Sequence, residues 1–238
     1  MFSFITHVRN QPQAVAAQQA LWHAQPTPPV ELILIDDCSS RELAPRPCPP
    51  WRLARSIDPL VWNYGVKNLG AQLATRPWML FTNVDHLLTP QVAWQINALL
   101  RTDPPSRRYF RLWRKSNVPG AIARFSDRPH IGTILIHRDA FEAIGGYDED
   151  FCGAYGHDDT FMQWCLQQQG FHENVRREIV MENISDSLSI PDADFRLRAE
   201  WPRDLKRNNA LLAKKQRGAA KAAQPRVRFD WHLVEATP

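Results

Sequence analysis

The stretch "VELILIDDCSS", residues 30–40, runs from near-continuous apolar residues straight into two carboxylates and two hydroxyls. A strand that is apolar at successive positions is buried on both faces, which is the environment of a parallel sheet covered by helices. Upstream, "FSFITHVRN" (2–10) reads as a first strand ending in polar residues. "PQAVAAQQALWHAQ" (12–25) reads as a helix: Ala, Gln and Leu favour it, and Pro12 suits the first turn, where its missing N–H costs nothing. "TPP" at 27–29 breaks that helix. Strand, helix, strand at this spacing is a βαβ unit, and hence a parallel pair with a right-handed crossover.

The pattern continues along the chain. A proline-rich loop leads to "WRLARSID" (51–58), a short strand. "WNYGVKNLGAQLATR" (62–76) is a loop entering a helix, with Gly65 and Gly70 permitting close backbone approach. "PWMLFTNVD" (77–85) is the next strand, and "TPQVAWQINALLRTD" (89–103) a helix with a Thr cap and Pro in its first turn. "RRYFRLWRK" (107–115) alternates as a strand, and "IGTILIHRDAFEAIGGYDEDF" (131–151) reads as strand, short helix and Gly-Gly stop. "HDDTFMQWCLQQQG" (157–170) is a helix opening on carboxylates, which suits the positive end of its dipole, and "REIVMENIS" (177–185) is a last strand. The fold class is α/β. Residues 1–190 are expected to form one domain, and 191–238 a basic, partly helical extension.

With 44% hydrophobic and 23% charged residues, the 238-residue chain is expected to pack as a globular protein. No apolar run reaches about 18 residues, so no membrane-spanning helix is expected. The N-terminus lacks a basic stretch followed by an apolar one, and a cytoplasmic location follows as the expectation, host cytoplasm if a phage encodes the chain. Cys38, Cys48, Cys152 and Cys165 lack CxxC spacing and read as reduced thiols, not a zinc site. The net charge of +4 is uneven: residues 196–228 hold eleven Lys/Arg against Glu200 and Asp204. A second basic stretch, 101–115, interleaves six Lys/Arg with Tyr109, Phe110 and Trp113. Such localised charge attracts a polyanion or simply solvates a helical face.

In open α/β sheets, ligands bind beyond the carboxyl ends of the strands. Three acidic clusters are expected there: Asp36-Asp37, Asp85, and Asp158-Asp159. The first can accept hydrogen bonds from a ribose or base, or close an Asx-turn. In the second, extended geometry would put Asn83 and Asp85 on one side, where two oxygens can hold Mg²⁺ or Mn²⁺, while the alternation would point His86 away. In the third, a carboxylate at a helix start can take a proton from an attacking hydroxyl, or merely cap the helix.

Taken together, "LILIDDCSS", "NYGVKNLGAQLA", "WMLFTNVDHLL" and "GGYDEDFCGAYGHDDTFMQW" resemble the family 2 glycosyltransferases, inverting enzymes with a Rossmann-like GT-A fold; the resemblance spans about residues 2–185. It implies that Asp37, with Arg9 and Asn10, meets the nucleotide, and that Lys67 and Asn68, with Asn83, face the donor phosphates or sugar. It also implies that Asp85 binds the metal, that Asp159 is the catalytic base, and that Asp158 orients the acceptor. Asp148 and Glu149 would serve the loop. The implied partners are a nucleoside-diphosphate sugar such as a UDP-sugar, and a divalent metal, Mn²⁺ or Mg²⁺. Three positions depart from the family pattern. Asn83 replaces the first Asp of DxD, His157 replaces a glycine, and Asn183 stands near the place of a later metal-binding histidine.

The basic, aromatic stretches raise the expectation of a DNA acceptor, a hydroxylated base as modified by some bacteriophage enzymes. A glycan or cell-surface precursor is the alternative acceptor. A nucleotidyltransferase on a similar sheet is less favoured by the last motif. A non-catalytic nucleotide- or nucleic-acid-binding module is the alternative of a different class.

Overall fold

A computed structural model describes residues 1–23, 29–40, 43, 51–60, 62–102, 107–118, 128–184, 205–218 and 227–234. Among them, nine strands form one sheet: β1 (Phe2–Val8), β2 (Val30–Asp36), β3 (Trp51–Ser56), β4 (Trp78–Asn83), β5 (His86–Leu87), β6 (Arg108–Ser116), β7 (Arg128–His137), β8 (His172–Asn183) and β9 (Trp231–Val234). The helices are α1 (Pro12–His23), α2 (Val66–Leu73), α3 (Pro90–Thr102), α4 (Arg138–Ala143), α5 (Asp158–Gln168) and α6 (Lys206–Arg217), with single 3₁₀ turns at Asn63–Gly65 and Glu149–Phe151. The strand order is β5-β8-β6-β7-β4-β1-β2-β3-β9.

The expected parallel block is present. β1 lies between β2 and β4, parallel to both, and β3 continues it beside β2. Beyond β4 the sheet is mixed, with β7 antiparallel to both neighbours and β8 parallel to β6. Alternation along the strands divides the core. Ile5, Ile33 and Phe81 face one side with residues of α2, α4 and α5, while Phe4, Leu32 and Leu80 face the other with Trp22 and residues of α3. Each such large side chain, once buried, contributes roughly 1.5–3 kcal/mol. Gly70 is required where α2 crosses β1, because a Cβ there would stand 2.3 Å from Ile5 Cγ2.

The C-terminal residues differ from the expectation of an appendage. β9 pairs with β3 as the sheet's edge, Phe229 joins the core, and α6 packs against the loop leading into α5. The apolar positions of this segment are sparse, so its basic composition hid its contribution to the core. The proposed boundary at 190 lies outside the described residues. Among the described residues no helix is long and apolar enough to cross a membrane. Cys38, Cys152 and Cys165 are free thiols, and Cys48 lies outside the described residues.

The register sets the site. Val8 pairs with Asp36 and His7 with Asn83, so β1, β2 and β4 end level and deliver their following loops to one edge. That edge is the carboxyl rim of the parallel block.

Candidate active site

At one end of the rim, polar side chains are spent on shaping loops. Asp36 is buried, pairs with Arg55 and accepts from Ser39 N. Arg55 also donates to Ser39 O at 2.7 Å. Asn10, in the left-handed region at φ 56°, accepts from both the amide and the hydroxyl of Ser40 through Oδ1. Arg9 donates to Asp37 O at 2.7 Å, and Asp37 Oδ1 accepts from Trp62 N at 3.2 Å. Arg9, Asn10 and Asp37 thus lie together, with Asp37 buried and tied to both neighbouring loops. Asn68 differs from expectation. It is buried, donates to Tyr147 O and Glu149 Oε1, and accepts from Tyr147 N, so its amide is committed to the loop after α4. Glu149 is likewise a loop residue, accepting also from Arg228 N at 3.0 Å.

The middle of the rim carries Asn83 and Asp85. Asp85 sits in the turn between β4 and β5. His86 does not point away: its Nδ1 is 2.7 Å from Asp85 Oδ1, because β5 is only two residues long and pairs with β8. In that pairing His86 faces Asn183, whose Nδ2 lies 3.2 Å from His86 Nε2 and 3.5 Å from Asp85 Oδ2. An amide N–H donating to Nε2 leaves the proton on Nδ1, where it is donated to Asp85. Burial works to raise the Asp85 pKa, but His86, Arg114 and Asn183 outweigh it and hold the carboxyl below its ordinary value. Asp85 is therefore an oriented anion, 23% exposed.

Asn83 Oδ1 is buried and has no hydrogen-bond partner among the described residues. An orphaned oxygen two residues from an oriented carboxylate fits a hard divalent ion, which takes few protein oxygens when substrate phosphates and water supply the rest. Among the described residues no three His, Cys, Asp or Glu side chains group as a metal site, so a protein-only cage is not what this arrangement offers.

At the other end lies the acid pair. Asp158 and Asp159 open α5 and are both buried, with Asp159 N donating to Asp158 Oδ1 at 3.1 Å. Burial raises the pKa of both carboxyls; the Asp159 charge raises Asp158 further, while Lys67 and the Tyr64 and Tyr147 hydroxyls oppose the rise at Asp159. Lys67 is fully buried, with Nζ 3.9 Å from the centre of the Tyr64 ring. Burial lowers its pKa to about 8, against the support of Asp159, Asp158 and Asp85. Among the described residues, Asp159 Oδ1 is buried without a hydrogen bond of full geometry, and the Tyr147 hydroxyl stands near enough to the carboxyl to favour its anion. Asp159 Oδ2 and Tyr64 Oη converge over Gly132, where a Cβ would meet them at 2.8 and 3.0 Å.

The sequence reading missed Tyr64, Tyr147, Gly132 and the pairing of His86 with Asn183. Tyr64, inside "NYGVKNLGAQLA", and Tyr147, inside "GGYDEDFCGAYGHDDTFMQW", lay within stretches already singled out. The others converge by tertiary packing. The basic stretch at 101–115 also differs from expectation. Tyr109 and Phe110 are buried in β6, and Arg177 covers the ring of Trp113 at 5.2 Å. Tyr109 and Phe110 serve the core because β6 is interior, flanked by β7 and β8.

No family model matches the chain, and no curated protein sequence matches it. Solved structures do resemble it. TarS 1-349 of S. aureus matches with a TM-score of 0.61 at 13% identity, over 82% of this chain and 61% of that one. The same protein in complex with UDP-GlcNAc matches at 0.61 and 12% identity, over 77% of this chain and 58% of that one. The mannosyltransferase PcManGT of Pyrobaculum calidifontis, in complex with GDP-Man and Mn²⁺, matches at 0.60 and 16% identity, over 94% of this chain and 66% of that one. The fold is therefore the GT-A fold of these glycosyltransferases. The chain spans about three fifths to two thirds of their length.

Proposed function

We propose that this chain is a nucleotide-sugar-dependent glycosyltransferase that transfers a sugar, with inversion, to an acceptor hydroxyl. The observation that carries this reading is the buried Oδ1 of Asp159, without a hydrogen bond of full geometry among the described residues, on the same rim as the oriented Asp85, with Lys67 sensing both charges. The loops of Arg9, Asn10 and Asp37 form the nucleotide end. The donor diphosphate lies beside Asp85 and Asn83, which would hold Mg²⁺ or Mn²⁺; that ion, when bound, offsets negative charge on the diphosphate. Lys67 favours the anionic form of Asp159 against the effect of burial, and Asp158 orients the acceptor.

Asp159 accepts the proton of the acceptor hydroxyl as its oxygen bonds to the anomeric carbon. The bond from that carbon to the diphosphate oxygen breaks, and the nucleoside diphosphate leaves with the electron pair. A single displacement of this kind inverts the anomeric centre.

A sugar hydroxyl is favoured as acceptor over a base in DNA. Tyr109 and Phe110 are in the core, Arg177 covers the half-buried Trp113 ring, and Lys215, Arg228 and Arg207 are engaged with the 148–152 segment. TarS in complex with UDP-GlcNAc and PcManGT in complex with GDP-Man make these the first donors to try. Thermal shifts should be measured with UDP-GlcNAc and GDP-mannose, with and without Mn²⁺, on wild type and Asp85→Ala. A bound donor raises the melting temperature by mass action. A Mn²⁺-dependent rise, lost in Asp85→Ala or with EDTA, is expected. No rise with any nucleoside-diphosphate sugar would contradict the reading.

A further inference from the structure

The loop that delivers Asp158 and Asp159 is held from outside by three consecutive residues of the basic C-terminal segment. Asn208 is fully buried, and its Nδ2 lies within hydrogen-bond distance of three carbonyls: Phe151 O at 3.0 Å, Ala154 O at 3.1 Å and Gly156 O at 2.7 Å. Arg207 donates to Cys152 O at 3.0 Å and Asp150 O at 2.9 Å, and braces Asn208 Oδ1 at 3.1 Å. Asn209 Oδ1 contacts His157 Nε2. Two turns later, Lys215 ties Asp148 and Asp150 at 2.6 and 2.7 Å.

The loop needs such holding. Gly153, Gly156 and His157 all lie in the left-handed region, at φ 76°, 87° and 73°. For His157, which has a Cβ, this backbone conformation is strained, and it persists only where surroundings enforce it. His157 is the residue immediately before α5, so its backbone sets where Asp158 and Asp159 begin. Five carbonyls of the loop turn outward to Arg207 and Asn208, leaving the start of α5 directed inward at the rim.

We propose that Arg207-Asn208-Asn209 at the start of α6 are positioning residues for the reaction: they clamp residues 150–157 in the shape that stations the Asp159 carboxylate against an acceptor hydroxyl. This rests on the glycosyltransferase reading for its chemistry but not for its geometry. A segment whose composition resembles a polyanion-binding tail thus acts on the reaction without touching substrate. Asn208 is the centre of the clamp, because no other buried amide in the described segment reaches three loop carbonyls.

The test compares wild type, Asn208→Ala, Arg207→Ala and the double variant Asn208→Ala/His157→Gly. Three quantities are read: hydrogen exchange of peptides over 148–157, the thermal shift with GDP-mannose or UDP-GlcNAc and Mn²⁺, and release of nucleoside diphosphate from those donors with water as acceptor. Asn208→Ala is expected to speed exchange in 148–157 at least 10-fold while β1, β2 and β4 keep their protection. The donor-induced thermal shift should remain, and kcat for release should fall at least 10-fold with the donor KM unchanged. Glycine at 157 removes the left-handed penalty and should restore part of kcat. Arg207→Ala, at an exposed residue, gives the same pattern more weakly and serves if Asn208→Ala does not fold. Unchanged exchange in 148–157, or a loss that raises exchange throughout the sheet and weakens donor binding equally, would overturn the clamp. If the wild type releases no nucleoside diphosphate, the glycosyltransferase reading suffers, while the exchange result still decides the clamp.

Discussion

The two ends of the rim are built from the same residue types and use them oppositely. Around Asp36 and Asp37, charges are paired: Arg55 meets Asp36, Arg9 meets the Asp37 backbone, and Asn10 closes the loop. Around Asp158 and Asp159, two carboxylates are buried side by side, one lysine is buried with them, and Asp159 Oδ1 is left without a hydrogen bond of full geometry among the described residues. Paired groups stabilise a shape. A buried carboxylate oxygen left without a hydrogen bond is costly and persists where a substrate completes it. Under the proposed function, the Asp36 end is scaffold for a nucleotide and the Asp159 end is where a proton moves.

Substitutions should separate the two ends. The largest effect is expected from Asp159→Asn, which removes the base: kcat should fall by about 10²–10⁴-fold, the usual range for general-base loss, with the donor-induced thermal shift retained. Loss of donor binding as well would merge the two ends and break the comparison. Gly132→Ala comes next. Its Cβ would displace Asp159 Oδ2 and Tyr64 Oη, the movable ends of side chains, so the fold should hold while kcat drops on the order of 100-fold. At the opposite end, Arg55→Ala strands the buried Asp36 carboxylate and should cost about 3 kcal/mol of stability in a denaturant titration.

Smaller effects sharpen the contrast through pH. Burial raises the pKa of the acid pair, so the base should gain activity only above the ordinary carboxylate range of ~4. Lys67, lowered to about 8 by burial, loses the charge that supports the Asp159 anion as pH passes that value, so kcat should fall again on the alkaline side. Lys67→Arg should move that alkaline limb upward, because a guanidinium keeps its proton. The smallest effect is a gain. Asp158 binds its proton more tightly folded than unfolded, so its contribution to stability declines as pH rises from ~4 toward its raised folded value. Asp158→Asn removes that penalty and should raise Tm by a few degrees, roughly 2–4 °C per kcal/mol for a domain of this size. A lower Tm would show that the Asp158 charge is stabilising after all.

Much of this was legible in the sequence, for local reasons. The continuous apolar run of β2 announced a strand buried on both faces, and Pro12 and Pro90 marked helix starts. Asp37, Asp85 and Asp159 could be placed because each follows or opens an element with a strong pattern of its own. What could not be read depends on distant partners. "MENISDS" does not reveal that Asn183 lies opposite His86, since a two-residue strand has no periodicity. Asn68 read as a donor ligand because its neighbours match a motif, yet three hydrogen bonds to Tyr147 and Glu149, about 80 residues away, consume its amide. The basic run at 206–217 concealed a structural helix, because charge dominates composition while buried Asn208 and half-buried Leu211 and Leu212 do the packing.

The most direct test of the central claim is a crystal structure with GDP-mannose or UDP-GlcNAc and Mn²⁺ bound to Asp159→Asn. The account requires the diphosphate beside Asp85 and Asn83, the nucleoside against the loops of Asp37 and Arg9, and the anomeric carbon open toward residue 159. A donor seated elsewhere, or one whose anomeric carbon faces away from residue 159, would contradict it.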